Sequence, residues 1–94
     1  MPDLQSRRYL ISGRVQGVGF RWFVEREAAL IGVTGWVRNT ENGDVEVMAT
    51  GTHEQHDTLR RKLQEGPRAA RVDHVRESPA PLLESQSFRI EGVW

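Results

Sequence analysis

Within five residues, Val15-Gln16-Gly17-Val18-Gly19, the apolar period of this chain changes from two to about 3.6. Before that segment, from Arg7 to Arg14, Tyr9, Ile11 and Gly13 share one face while Leu10, Ser12 and Arg14 share the other, the alternation of a strand. After it, Phe20, Val24, Ala28 and Ile31 fall on one helical face at spacings of four, four and three, and Gly32 is a natural stop. A strand that feeds a helix through so short a turn packs that helix back onto its own sheet. Gly17 and Gly19 supply the tight, open backbone such a turn needs.

The rest of the chain keeps alternating between the two periods. Residues 1–6 read as a loose start, and Thr34 to Thr40 as a second strand. Glu41-Asn42-Gly43-Asp44 contains Asn-Gly, a strong hairpin signal. A two-residue loop would set Glu41 against Asp44, so the pairing of two acids favours a slightly longer one. In the third strand Val45, Val47 and Ala49 alternate with Glu46, Met48 and Thr50, and Gly51 ends it. Thr52 and Gln55 form a capping-box pattern that opens a helix carrying Leu59 and Leu63 inward, closed by Gly66-Pro67. Ala69 to Glu77 is strand-like, but Val72 and Val75 differ in parity, which predicts a bulge or an exposed edge. Ser78 to Ser85 reads as a Pro-containing loop and Phe88-Arg89-Ile90 as a short final strand.

The order β-α-β-β-α-β plus a short C-terminal strand is that of an α+β, ferredoxin-like split βαβ fold, an antiparallel-dominated sheet with two helices on one face. With no repeat, low-complexity tract or linker, a single domain over residues 1–94 is expected. A domain of this size buries about 60–65% of the surface of its unfolded chain, enough for a thin core.

Charge and composition narrow the function. Thirteen basic residues balance thirteen acidic ones, so no global field steers the chain to nucleic acid or to an anionic membrane. The absence of cysteine excludes disulfides, thiol catalysis, iron–sulfur clusters and Cys-based zinc sites, and fits a reducing compartment. The opening Met-Pro-Asp-Leu-Gln-Ser-Arg-Arg is not followed by an apolar signal-peptide segment. No run approaches the ~20 apolar residues of a spanning helix. The expectation is a soluble, cytoplasmic monomer with no nucleic-acid or membrane partner.

In a split βαβ unit the first two strands run parallel with the third between them, so their carboxyl ends lie at one edge of the sheet. The loop Val15–Phe20 leaves the first and Asn39 ends the second. The loop glycines let successive backbone N–H groups converge at the positive end of a helix dipole, an anion nest. Arg21 stands in the first helical turn, where the dipole disfavours a cation, and a bound anion, phosphate above carboxylate, would remove the conflict. Each feature also has an ordinary reading: a connecting turn, a solvated surface arginine, an asparagine beside a hairpin.

Gly13-Arg14-Val15-Gln16-Gly17-Val18-Gly19-Phe20-Arg21 resembles the first signature of the acylphosphatase family, position for position. Gly35-Trp36-Val37-Arg38-Asn39, followed at the family's spacing by Gly43-Asp44-Val45 and then Gly51, resembles the second. The resemblance extends from about residue 7 to about residue 91. It implies Arg21 and Asn39 as catalytic residues and the backbone N–H groups of Gln16, Gly17, Val18, Gly19 and Phe20 as the phosphate cradle. It also implies a part for Thr40 in holding the water network. Trp22 would either shape the acyl side of the pocket or pack on the surface. The chain ends Gly92-Val93-Trp94, unlike the family's short aromatic or basic ending.

The chemistry agrees with what the resemblance implies. An arginine, backbone donors and an amide include no nucleophile, general acid or metal ligand set. An alkyl phosphate needs its leaving group protonated, whereas an acyl phosphate leaves as a carboxylate whose acid has a pKa of about 4–5. Asn39 would orient the attacking water while Arg21 and the nest hold the phosphoryl oxygens. The expected substrate is a small acyl phosphate, the product inorganic phosphate, and no metal or other cofactor is needed.

Three rival readings are weaker. Gly17 to Val24 superficially resembles an RNA-binding string, but Phe20, Trp22 and Phe23 lack period-two spacing and enter a helix rather than a sheet face. A sensor of anionic metabolites would need Arg21 but has little use for a water-positioning Asn39. His53-Glu54-Gln55-His56 sets its histidines three apart rather than four, and reads as the polar first turn of a capped helix, with His74 in another element. Arg60, Arg61 and Lys62 read as a solvated helix face.

Overall fold

The two faces of the first strand separate at once into a dry one and a wet one. In the computed structural model, which describes residues 3–92, β1 (Gln5–Arg14) buries Tyr9 and Ile11 completely while Leu10 and Ser12 stay half-exposed. It is followed by α1 (Phe20–Ile31), β2 (Thr34–Asn39), β3 (Val45–Gly51), α2 (His53–Glu65), β4 (Arg71–Ala80) and β5 (Phe88–Ile90). The sheet order is β4-β1-β3-β2-β5. β3 lies antiparallel between β1 and β2, which therefore run parallel, and β5 adds to β2 in parallel. This is the split βαβ arrangement, and the outermost strand finds its partner in β2.

Both helices cover the same face, α1 beside β2 and β5, α2 beside β3 and β4. Tyr9, Ile11, Val37, Val45, Val47 and Ala49 rise from the sheet to meet Val24 and Ala28 of α1 and Leu59 and Leu63 of α2. On the uncovered face Glu46 is buried beneath two arginines: Arg8 donates to one carboxylate oxygen and Arg38 Nε to the other at 2.7 Å. Burial raises the carboxyl's pKa, but these two guanidiniums outweigh it and hold it below the usual value. Arg38 also lies over the Trp36 ring, 5.1 Å from its centroid.

The local expectations largely hold. The hairpin uses a loop longer than two residues, because Asn39 pairs with Val45 and the Thr40 N–H bonds to the Asp44 carbonyl at 2.9 Å. Thr52 and Gln55 form both halves of the capping box. β4 is both bulged and at an edge: its register against β1 slips at Ser12/Gly13, leaving Asp73 opposite no partner.

Three expectations are corrected. β1 starts at Gln5 rather than Arg7, and Ser6 is buried instead of lying in a loose start. The Leu83 N–H donates to the Ser6 hydroxyl at 2.8 Å, and the Thr50 hydroxyl donates to the Leu83 carbonyl at 2.7 Å. Ser6 and Thr50 share a 2.6 Å bond, which Ser6 must donate. Next, β4 continues through Ser78, Pro79 and Ala80, where a loop was expected. An edge strand tolerates a residue without an N–H, and Pro79 pairs with Arg7 there.

The third correction concerns His56, which is not part of a polar surface turn but fully buried. Its Nε2 lies 2.8 Å from the Gln5 carbonyl, which can only accept, so Nε2 carries the proton. Nδ1 then accepts from the Tyr9 hydroxyl at 2.7 Å. Burial pushes the imidazole pKa down and the Tyr9 phenol pKa up. Val93 and Trp94 of the chain's ending lie outside the described residues, as do Met1 and Pro2.

Candidate active site

The turn between β1 and α1 is pinned at both ends by core residues. Val15 and Phe20 are 1% and 2% exposed, so the four residues between them span a fixed gap. Gly17 and Gly19 adopt φ of 72° and 79°. A Cβ at either would meet nothing within 4 Å, so glycine is required there by the left-handed backbone and not by lack of space. Gly19 is the N-cap of α1 and offers no side-chain cap; the first turn holds no acid. The first helical bond runs from the Phe23 N–H to the Gly19 carbonyl at 3.1 Å, so the amides of Phe20, Arg21 and Trp22 have no carbonyl one turn back.

Gln16 ties this turn to the neighbouring hairpin. Its Nε2 donates to the carbonyls of Thr40 and Asp44, at 2.8 Å each. The side chain thereby couples the loop to the residue next to Asn39. The Thr40 hydroxyl faces the same hairpin, accepting from the Asp44 N–H at 3.1 Å. Sequence reasoning gave Gln16 only a backbone amide. Its side-chain role left no signal, because both acceptors are main-chain carbonyls that any residue supplies.

Gly17, Gly19, Phe20, Arg21 and Asn39 line one pocket of about 190 Å³, with Val15 and Trp22 completing it. Of the seven site residues expected from the sequence, Gln16 and Val18 fall outside that lining; Val18 leans on the core instead. Arg21 is half-buried and makes no ion pair or side-chain hydrogen bond among the described residues. Trp22 is 74% exposed, so it stands at the pocket's rim and is not packed into the surface. Among the described residues no three His, Cys, Asp or Glu side chains gather to hold a metal ion. The pocket is smaller than the roughly 300–1,000 Å³ of sites that enclose drug-sized ligands, and its lining offers the Arg21 guanidinium and the Asn39 amide, the latter both donor and acceptor.

Fold and site together define a small α+β protein with a pocket at the shared edge of its two parallel strands that brings Arg21 and Asn39 to the glycine turn. Comparison with known proteins gives that class a family: the acylphosphatase family model matches residues 7–90. An acylphosphatase of Koribacter versatilis is 55% identical over 91 residues, covering 96% of this chain and 83% of the relative. One from Vibrio cholerae is 45% identical over 89 residues, covering 94% and 98%. The solved structure of an acylphosphatase from Coxiella burnetii superposes with a TM-score of 0.91 at 35% identity, covering 95% of this chain and 94% of that one. This chain belongs to the acylphosphatase family. No helix among the described residues is long and apolar enough to cross a membrane.

Proposed function

We propose that this chain hydrolyses the carboxyl–phosphate bond of small acyl phosphates without a metal, and that Arg21, Asn39 and the Gln16–Phe20 backbone carry the reaction. The observation that supports this most is the meeting of Arg21, Asn39 and the two left-handed glycines in one pocket. Arg21 and the pocket-lining backbone of Gly17, Gly19 and Phe20 bind the phosphoryl oxygens and spread the charge that develops on them, with the Gln16 and Val18 N–H groups as the outer part of the cradle. Asn39 holds a water in line with the bond to be broken. The water oxygen bonds to phosphorus, the bridging bond breaks, and its electron pair leaves with the carboxylate. The water proton passes to the phosphate.

A carboxylate is a good enough leaving group to need no acid, and the pocket contains none. The enzyme works as a one-domain monomer in the cytoplasm, on a small-molecule substrate and with no nucleic-acid partner. Purified protein incubated with benzoyl phosphate and, separately, phenyl phosphate tests the reading. Benzoyl phosphate is cleaved, in EDTA as well as without it, and phenyl phosphate is left intact. Binding of phosphate without turnover of benzoyl phosphate would make the chain a sensor instead.

A further inference from the structure

The pocket that holds Arg21 and Asn39 has a second one beside it. This neighbour, of about 370 Å³, is walled by Trp22 and Phe23, by Arg26 and Arg68, and by Pro67 of the turn after α2. Gly19 and Trp22 line both pockets, which are therefore neighbours across these two residues. Asn39 lines only the first, and the two arginines only the second.

The sheet order explains this division. β2 lies to one side of β1 and β4 to the other. The turn leaving β1 is thus flanked by Asn39 on the β2 side and by the segment leading into β4 on the other. In phosphoryl transfer the attacking and leaving oxygens lie roughly in line through phosphorus. Water held by Asn39 on the β2 side sends the leaving acyl group toward the far side, where the second pocket is.

That pocket has a definite chemistry. Trp22, mostly exposed, and Phe23 offer ring surface to a flat or apolar acyl body. No carboxylate lines it. Arg26 meets only its helix neighbour Glu27, at 3.3 Å, and Arg68 makes no ion pair among the described residues. We propose that this pocket is the acyl subsite, and that Arg26 and Arg68 make the enzyme prefer acyl phosphates whose acyl group carries a second anionic group at its far end. The proposal rests on the acyl phosphate reading above and adds a substrate class to it.

Two probes separate the two ideas: 4-carboxybenzoyl phosphate and 4-methylbenzoyl phosphate, alike in shape and each yielding its benzoate and inorganic phosphate by attack of water at phosphorus. Wild type is expected to favour the carboxylated probe about five- to tenfold in kcat/KM at low salt, the scale of two partly exposed charge pairs. Added salt narrows the ratio. The Arg26→Gln, Arg68→Gln double variant, with its Tm measured alongside, brings the ratio to about one. Arg61→Gln, on the exposed face of α2, leaves it unchanged. A wild-type ratio at or below one, or a ratio that survives in the double variant, overturns the subsite while leaving the hydrolase reading intact. Cleavage of neither probe strikes that reading itself.

Discussion

The two helices of this protein begin in opposite ways. α2 has every local device a helix start can use: the Thr52 hydroxyl accepts from the Gln55 N–H, the Gln55 side chain answers the Thr52 N–H, Glu54 stands in the first turn and Lys62 in the last. α1 has none of them. It starts at a left-handed glycine with no side-chain cap, no acid in the first turn, no base in the last, and an arginine where the dipole disfavours one. Both helices sit on the same sheet and each buries three residues, Phe20, Val24 and Ala28 in α1 and His56, Leu59 and Leu63 in α2, so the difference lies in how they start. α2 satisfies its own first amides, whereas α1 has no side chain that does so, which is what the proposed phosphoryl site needs. A helix start that breaks local rules inside a fold that otherwise obeys them is where a functional site is expected.

The contrast predicts that mutations at the start of α1 alter turnover and mutations at the start of α2 alter stability. The largest effect belongs to Arg21→Ala, expected to cut kcat/KM for benzoyl phosphate about a thousandfold or more, as loss of a phosphoryl-clamping arginine does. Arg21→Lys should regain little, because a point charge does not replace a planar fork. Near-normal kcat/KM in the lysine variant would remove the fork from the argument.

Asn39→Ala is expected next, with kcat down about a hundredfold. Calorimetry should find inorganic phosphate binding nearly as wild type, since binding is assigned to Arg21 and the loop amides. If phosphate affinity collapses in step with turnover, Asn39 belongs to the anion cradle and the division of labour is wrong. Thr52→Ala should do the reverse: about 1 kcal/mol of stability lost, a Tm lower by roughly 4–8 °C, and kcat as wild type. A fall in kcat with Tm unchanged would erase the contrast between the two helices.

The smallest effect concerns the first inward turn of α2. His56 is neutral in the fold, and its pKa is pushed below the ordinary value by burial, with Arg7 and His53 adding to the shift against the Gln5 carbonyl and Glu77. The unfolded chain, titrating near pH 6.5, binds more protons than the folded one below that pH. The stability tied to His56 is therefore complete above about pH 6.5 and is lost as pH falls toward the folded value. Tm measured from pH 8 to pH 5.5 should drop more steeply for wild type than for His56→Gln. Equal slopes would assign the acid sensitivity to another group.

What could be read from the chain was whatever its chemistry settles within a few residues. The Thr52–Gln55 box, the Val45-Val47-Ala49 alternation and the spacing of Gly17 and Gly19 are such patterns, and through the topology they placed Arg21 and Asn39 at one edge. What could not be read depends on partners far along the chain. Ser6 is buried because Leu83 and Thr50 satisfy its hydroxyl, 77 and 44 residues away. His56 turns inward because Tyr9 and Gln5 wait for it, 47 and 51 residues earlier. Pro79 stays in a strand because β4 is an edge, which only the assembled sheet decides. The Gln16 side chain is the same case within the site itself.

The three residues of β5 have a consequence of their own. The Gly35 N–H bonds to the Ser87 carbonyl at 3.0 Å and the Glu91 N–H to the Val37 carbonyl at 2.8 Å, so β5 occupies the outer row of β2. At the opposite border β4 defends itself with a bulge, a proline and the charges of Arg71, Asp73 and Arg76, features that discourage a foreign chain from pairing. β2 has no proline and no bulge, and its one charge, Arg38, is paired with Glu46. Detached from β5, it would present open amides and carbonyls beside Val37, a template for intermolecular sheet growth. Resistance to aggregation on that border thus depends on Phe88, Arg89 and Ile90 staying docked, and the strand they shield is the one that carries Asn39.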